Sequence, residues 1–86
     1  MPTETTAEHS LKTWPEFFQA VQEGRKTFEL RLDDRGFRLG DVLVLQEWSA
    51  GTGYTGREIR KRVSYILRGG GFGLSPDHVC MGLYSA

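Results

Sequence analysis

Hydrophobic and polar positions along this chain follow two periods, with the change at Gly24. Before it, Trp14, Phe17, Phe18 and Val21 recur at i, i+3, i+4 and i+7, the apolar stripe of a helix. "TWPE" has the form of a capping box, with Thr13 as N-cap and Glu16 three residues on. Pro15 falls in the first turn, where its missing N–H costs nothing. Gly24 supplies the left-handed stop, so the pattern predicts one amphipathic helix over 13–23.

After Gly24 the period becomes two. In "GRKTFELRL" Phe28, Leu30 and Leu32 share one face of a strand, and Thr27, Glu29 and Arg31 share the other. The apolar face is expected to build the core. "DDRG" and "RLGD" read as turns. "VLVLQEW", residues 42–48, is apolar on both sides and therefore a central strand. "SAGTG" is a flexible loop, "YTGREIRKRVSYIL" a long strand, "RGGGFG" a mobile loop and "HVCMGLY" a last strand. In the long strand Ile59, Val63, Tyr65 and Leu67 fall on one parity. With a short first strand over 9–12, the order is β-α-β-β-β-β. The predicted fold is α+β, mainly β: a small five-stranded barrel with one helix at an opening or flank, closed so that no edge is exposed.

Eighty-six residues make one domain, 9–86, with residues 1–8 read as a flexible lead-in. Eleven basic and eleven acidic residues cancel, so net charge argues against non-specific binding to nucleic acid. The distribution is uneven: residues 25–86 hold ten basic and seven acidic side chains. A polyanion surface would have to lie there. The single cysteine, Cys80, excludes an internal disulfide framework. No stretch is apolar enough to span a bilayer, and "MPTETTAEHS" is not a signal pattern. The chain reads as cytoplasmic and monomeric, with no membrane partner.

Two groups of residues carry candidate chemistry. Glu29 and Arg31 point the same way from one strand, and Lys26 follows a glycine kink that lets it join them. Such a set presents cations to phosphate and a carboxylate to a base edge or sugar hydroxyl. The structural alternative is a surface ion pair worth less than about 1 kcal/mol. The second group is Arg57, Arg60, Lys61 and Arg62, with Trp48 and Tyr54 close in sequence for stacking. Its alternative is a solvated strand face. His9 beside Lys12 is a weaker acid–base candidate, and Glu47 needs a partner such as Arg57 or Lys61 if it points inward. Asp77, His78 and Cys80 do not make a tetrahedral metal site. The glycine run at 69–73 lacks the ending of a phosphate-binding loop. No metal and no cofactor is implied.

"GRKTFELR", as G-x-K-x-x-E-x-R after a short helix, resembles the signature of the ASCH domains of the PUA-like superfamily. "HSLKTWPEFF", "DDRGFRLGDVLVLQEW" and "YTGR" extend the likeness over residues 9–84 to a small bacterial and phage branch of unknown function. Asp33 departs from that branch, which more commonly shows asparagine there, and the change bears on the turn or on the charge at a pocket mouth. The resemblance implies a small β-barrel with a cleft lined by Lys26, Glu29 and Arg31, and RNA as the partner. Another branch hydrolyses N4-acetylcytidine and is similar at "GRKT", with its lysine at Lys26, but has a threonine nucleophile where Glu29 stands. A glutamate cannot replace that hydroxyl, so the same mechanism is not expected.

The leading expectation is a module that binds RNA or a nucleotide in a cleft beside the helix, with no DNA specificity inferred. Lys12, Lys26, Arg31 and Arg57 would meet phosphate, Glu29 would accept hydrogen bonds, and Trp48 or Tyr54 would stack. The alternatives are a hydrolase of a modified nucleoside using Lys26 and Glu29, and a protein-interaction module that uses the "RGGGFG" and "SAGTG" loops.

Overall fold

A computed structural model describes residues 6–86. The elements run β1 (Glu8–Thr13), α1 (Pro15–Gln22), β2 (Phe28–Leu32), β3 (Val42–Ser49), β4 (Gly53–Arg68) and β5 (His78–Ser85). This is the β-α-β-β-β-β order that the pattern predicts. The expected lead-in lies partly outside the described residues. Within them it is shorter than expected, because Glu8 already pairs with Val42 and the Ala7 N–H donates to Asp41 Oδ1 at 3.0 Å.

The five strands form one curled sheet in the order β1-β3-β4-β5-β2. β1 runs parallel to β3, and every other neighbouring pair is antiparallel. β3 is paired on both sides, and Val42 to Leu45 are all buried, as its two-sided apolar run predicts. The sheet is a half-barrel, with β1 and β2 as its two edges. Among the described residues no backbone ladder joins those edges. Arginine side chains span the gap instead: Arg35 Nη1 donates to Ser10 O, and Arg31 Nη2 to Lys12 O, each at 2.8 Å. The concave side holds the core of Leu11, Leu43, Leu45, Val63, Val79 and Met81, with Val21 of the helix and Phe37 of the β2–β3 connection.

Asp41 anchors that connection. Its carboxylate is buried and accepts from the Ala7 and Arg38 amides and from His9 Nε2 at 2.8 Å, while the His9 ring lies edge-on to Phe37. His9 is therefore a core residue, not a free acid–base group.

Four local readings are corrected. Thr13 is the last residue of β1, paired with Glu47, and its hydroxyl donates to Leu11 O; Trp14 stands at the N-cap position with no side-chain cap. The strand outcompetes the capping box. The helix stripe is also divided: Phe18 and Val21 are buried, while Trp14 and Phe17 are exposed. Most of all, β2 is inverted. Glu29 is buried, whereas Phe28, Leu30 and Leu32 face outward and stay about half exposed. In β4 a bulge between Val63 and Tyr65 flips the parity, so Val63 points in and Tyr65 and Leu67 point out. The bulged Ser64 puts its Oγ 2.8 Å from where a Cβ on Gly82 would stand, which accounts for a glycine there.

Candidate functional site

The helix end delivers the first residue of the site. Gly24 adopts φ +80°, and the amides of Arg25 and Lys26 both donate to Ala20 O, at 2.9 and 3.0 Å. The chain doubles back and carries Lys26 onto β2. Lys26 Nζ donates to Phe28 O at 2.7 Å and to Glu29 Oε2 at 2.6 Å. Arg31 Nε donates to Glu29 Oε1 at 2.9 Å. Glu29, only 3% exposed, thus has one cation on each oxygen. Arg31 reaches further, to Lys12 O and, at 3.5 Å, to Thr13 Oγ1. The three residues that the sequence singles out converge, and they are not a loose surface pair.

They form one wall of a cleft of about 440 Å³ at the gap between the sheet edges. That volume is within the roughly 300–1,000 Å³ of small-molecule sites. Lys12, Thr13 and Trp14 line the β1 side, Phe17 the helix side, and Phe28 and Leu30 the β2 edge. Lys26 Nζ sits 4.9 Å from the centre of the Phe28 ring and 5.9 Å from that of Phe17, within cation–π range. The site therefore has three cations, one carboxylate and three aromatic rings at one opening.

Its donors are not all used. Lys26 commits two N–H groups, and no described residue accepts from Arg31 Nη1. Both face a site whose charge sums to two positive units, from Lys12, Lys26 and Arg31 against Glu29. Both Glu29 oxygens are held by cations. The carboxylate aims those cations before it can act as a base. Together the groups form an anion-binding corner beside flat apolar rings.

Other candidates lie elsewhere. Arg57 donates to Glu47 Oε1 at 3.4 Å and to Gln22 Oε1, and its guanidinium lies 4.8 Å from the Phe18 ring centre. It ties the helix to the sheet and does not line the cleft. Glu47 is buried and also takes the Thr55 hydroxyl, so it is a structural partner. The basic run disperses, with Arg60 on Glu8 and Arg62 on Gly40 O. Trp48 and Tyr54 are cross-strand neighbours outside the cleft, though Trp48 meets Trp14 edge-on at 5.4 Å and carries Lys12 Nζ 4.5 Å over its ring. Asp33 accepts from Arg68 at 3.2 Å, away from the cleft mouth. Among the described residues no group of three histidine, cysteine or acidic side chains could hold a metal ion.

Sequence reasoning missed Thr13, Trp14, Phe17, Phe28 and Leu30 as lining residues. One signal was available: Trp14 precedes Pro15 and so stands at the helix entrance, off the packed stripe.

No helix among the described residues is long and apolar enough to cross a membrane. Residues 8–83 match the model of a domain of unknown function, DUF3850. The chain is also similar to an uncharacterized 12.9 kDa protein in the GpA 3′ region of Escherichia phage P2, with 39% identity over 58 residues. That match takes in 67% of this chain and 52% of the phage protein, so the chain spans about half the length of this curated relative. With nearly the whole sheet and helix inside the matched span, the chain belongs to the DUF3850 family of domains of unknown function.

Proposed function

We propose that the protein binds RNA, taking one unpaired nucleotide into the cleft between α1 and β2. The observation that carries this reading is the meeting of Lys12, Lys26 and Arg31 with the rings of Trp14, Phe17 and Phe28 in one opening. A phosphate fits the uncommitted donors of Lys26 and Arg31, and a base stacks on the exposed rings of Trp14 or Phe17. The resemblance of "GRKTFELR" to the ASCH signature supports the same class of ligand. Glu29 holds the two cations in place and keeps lone pairs for a sugar hydroxyl.

The test is an amide NMR titration with a short single-stranded RNA and, separately, with mononucleotides. Shifts are expected at residues 12–17 and 26–31. Trp14→Ala is expected to weaken RNA binding at least about fivefold, since stacking is worth roughly 1–3 kcal/mol per base. With at most three phosphates neutralised, the slope of log K against log salt should be no steeper than about −2. Absence of shifts with both ligands, or a slope beyond about −4, would remove the cleft as the binding site. Shifts with mononucleotides alone would make the ligand a free nucleotide.

A further inference from the structure

The inverted faces of β2 and β4 leave a second surface unexplained. On the convex side, Phe28, Leu30 and Leu32 form one apolar ridge, and Tyr65 and Leu67 form another. Between them runs β5, whose outward residues here are Cys80 and Gly82, paired with Leu30 and Phe28 on one side and Leu67 and Tyr65 on the other. Two strand spacings separate the ridges, about 10 Å. The result is a shallow trough whose centre holds Cys80 and Gly82, with the Ser64 hydroxyl beside Gly82 and His78 at the end opposite Leu32.

We propose that this trough is a homodimer interface, in which the β2 ridge of each copy seats in the trough of the other about a two-fold axis. Self-fit is the first argument. A surface holding both a ridge and a matching trough, with no charge at its centre, is complementary to itself, as a two-fold interface requires. Face-to-face packing of two sheets is a standard layer arrangement, with inner faces about 10 Å apart. Area is the second. The ridge residues are 36–65% exposed. Scaled by side-chain areas of about 150–250 Å² for the aromatics and somewhat less for leucine, they offer on the order of 500 Å² per copy. Two copies then bury about 1,000 Å² before the rim is counted, the lower bound for a specific interface. An interface at that lower bound belongs with weak, transient association. The face shares Phe28 and Leu30 with the cleft, while Tyr65, Leu67 and Cys80 do not line it, so changes at 65 and 67 test the dimer apart from the nucleotide reading.

Sedimentation equilibrium from about 1 μM to about 1 mM tests the assembly. A monomer–dimer equilibrium is expected within that range. Tyr65→Glu and Leu67→Glu should each raise the dissociation constant at least about tenfold, by placing a charge in an apolar contact, while Tyr65→Phe keeps the dimer. The far-ultraviolet circular dichroism of each variant reports that it is folded. Cys80 gives a reading without substitution: its reaction with a thiol reagent should slow as the dimer forms. A monomer at every concentration would overturn the proposal. So would a dimer that survives both glutamate variants, or one in which Cys80 reacts at an unchanged rate.

Discussion

Glu29→Gln is expected to lower the stability of the protein by about 2–3 kcal/mol and to weaken RNA binding at the same time. The carboxylate accepts from Lys26 Nζ at 2.6 Å and Arg31 Nε at 2.9 Å, and it is 3% exposed. An amide keeps the volume but has only one acceptor oxygen, so one cation is left facing an NH₂ group. Removing the anion from a buried ion pair costs about 3–5 kcal/mol when the partner is stranded. The cost is smaller here because Lys26 and Arg31 are 17% and 25% exposed and can turn to water. That freedom is what harms binding, since the two donors lose their shared direction although the site gains net positive charge. Urea unfolding and RNA titration at matched salt check both halves. Wild-type stability together with wild-type affinity would make the triad incidental. Lys26→Met added to a Glu29→Leu background should recover part of the lost stability, because one of the two stranded charges goes too.

Asp41→Ala should be more damaging, by about 3–5 kcal/mol, a large part of the roughly 5–15 kcal/mol that holds a small domain folded. It removes the acceptor for the Ala7 and Arg38 amides and for His9, all around a buried carboxylate. Burial alone would raise the pKa of Asp41. The hydrogen bonds from the Ala7 amide, His9 and the Arg38 amide, with the charge of His9, outweigh it and hold the pKa below the usual value. The sign follows from that direction. A depressed pKa adds stability that is present above the unfolded value, about 3.9, and is lost as pH falls below it through the folded value. Urea midpoints measured from neutral pH down to about pH 3 should therefore fall in the wild type, and fall less in a variant such as Asp41→Asn that lacks this group. An equal decline in both would locate the acid sensitivity in other carboxylates.

Much of the fold is legible in residue pattern. Gly24 marks the helix end, the alternation at 28–32 marks a strand, and the two-sided apolar run at 42–45 marks a strand paired on both sides. The convergence of Lys26, Glu29 and Arg31 was also legible, from strand parity and one glycine. What pattern does not carry is sidedness. A period of two states that residues alternate, not which set faces the core. In β2 the polar set turns inward because Lys26, Lys12 O and Thr13 Oγ1 wait there to bond it, and these come from two separate segments. The bulge at Ser64 leaves no pattern either, yet it decides where Tyr65 and Leu67 point. Arg57 shows the same limit. Its neighbours in sequence suggest a basic stripe; its pairing with Glu47 was legible as one of two choices, while its bond to Gln22 is brought about only by the fold.

The gap between β1 and β2 has a mechanical meaning. A backbone ladder would join the two edges as a zipper, many equal teeth with no preferred point of failure. Here they are joined by two rivets: Arg35 on Ser10 O, and the Arg31 guanidinium, a rigid plane fixed to Glu29 on one edge and Lys12 on the other. A ligand that gripped the free Nη1 edge of that plane would load this second rivet directly, so occupancy would stiffen the join between the two edges.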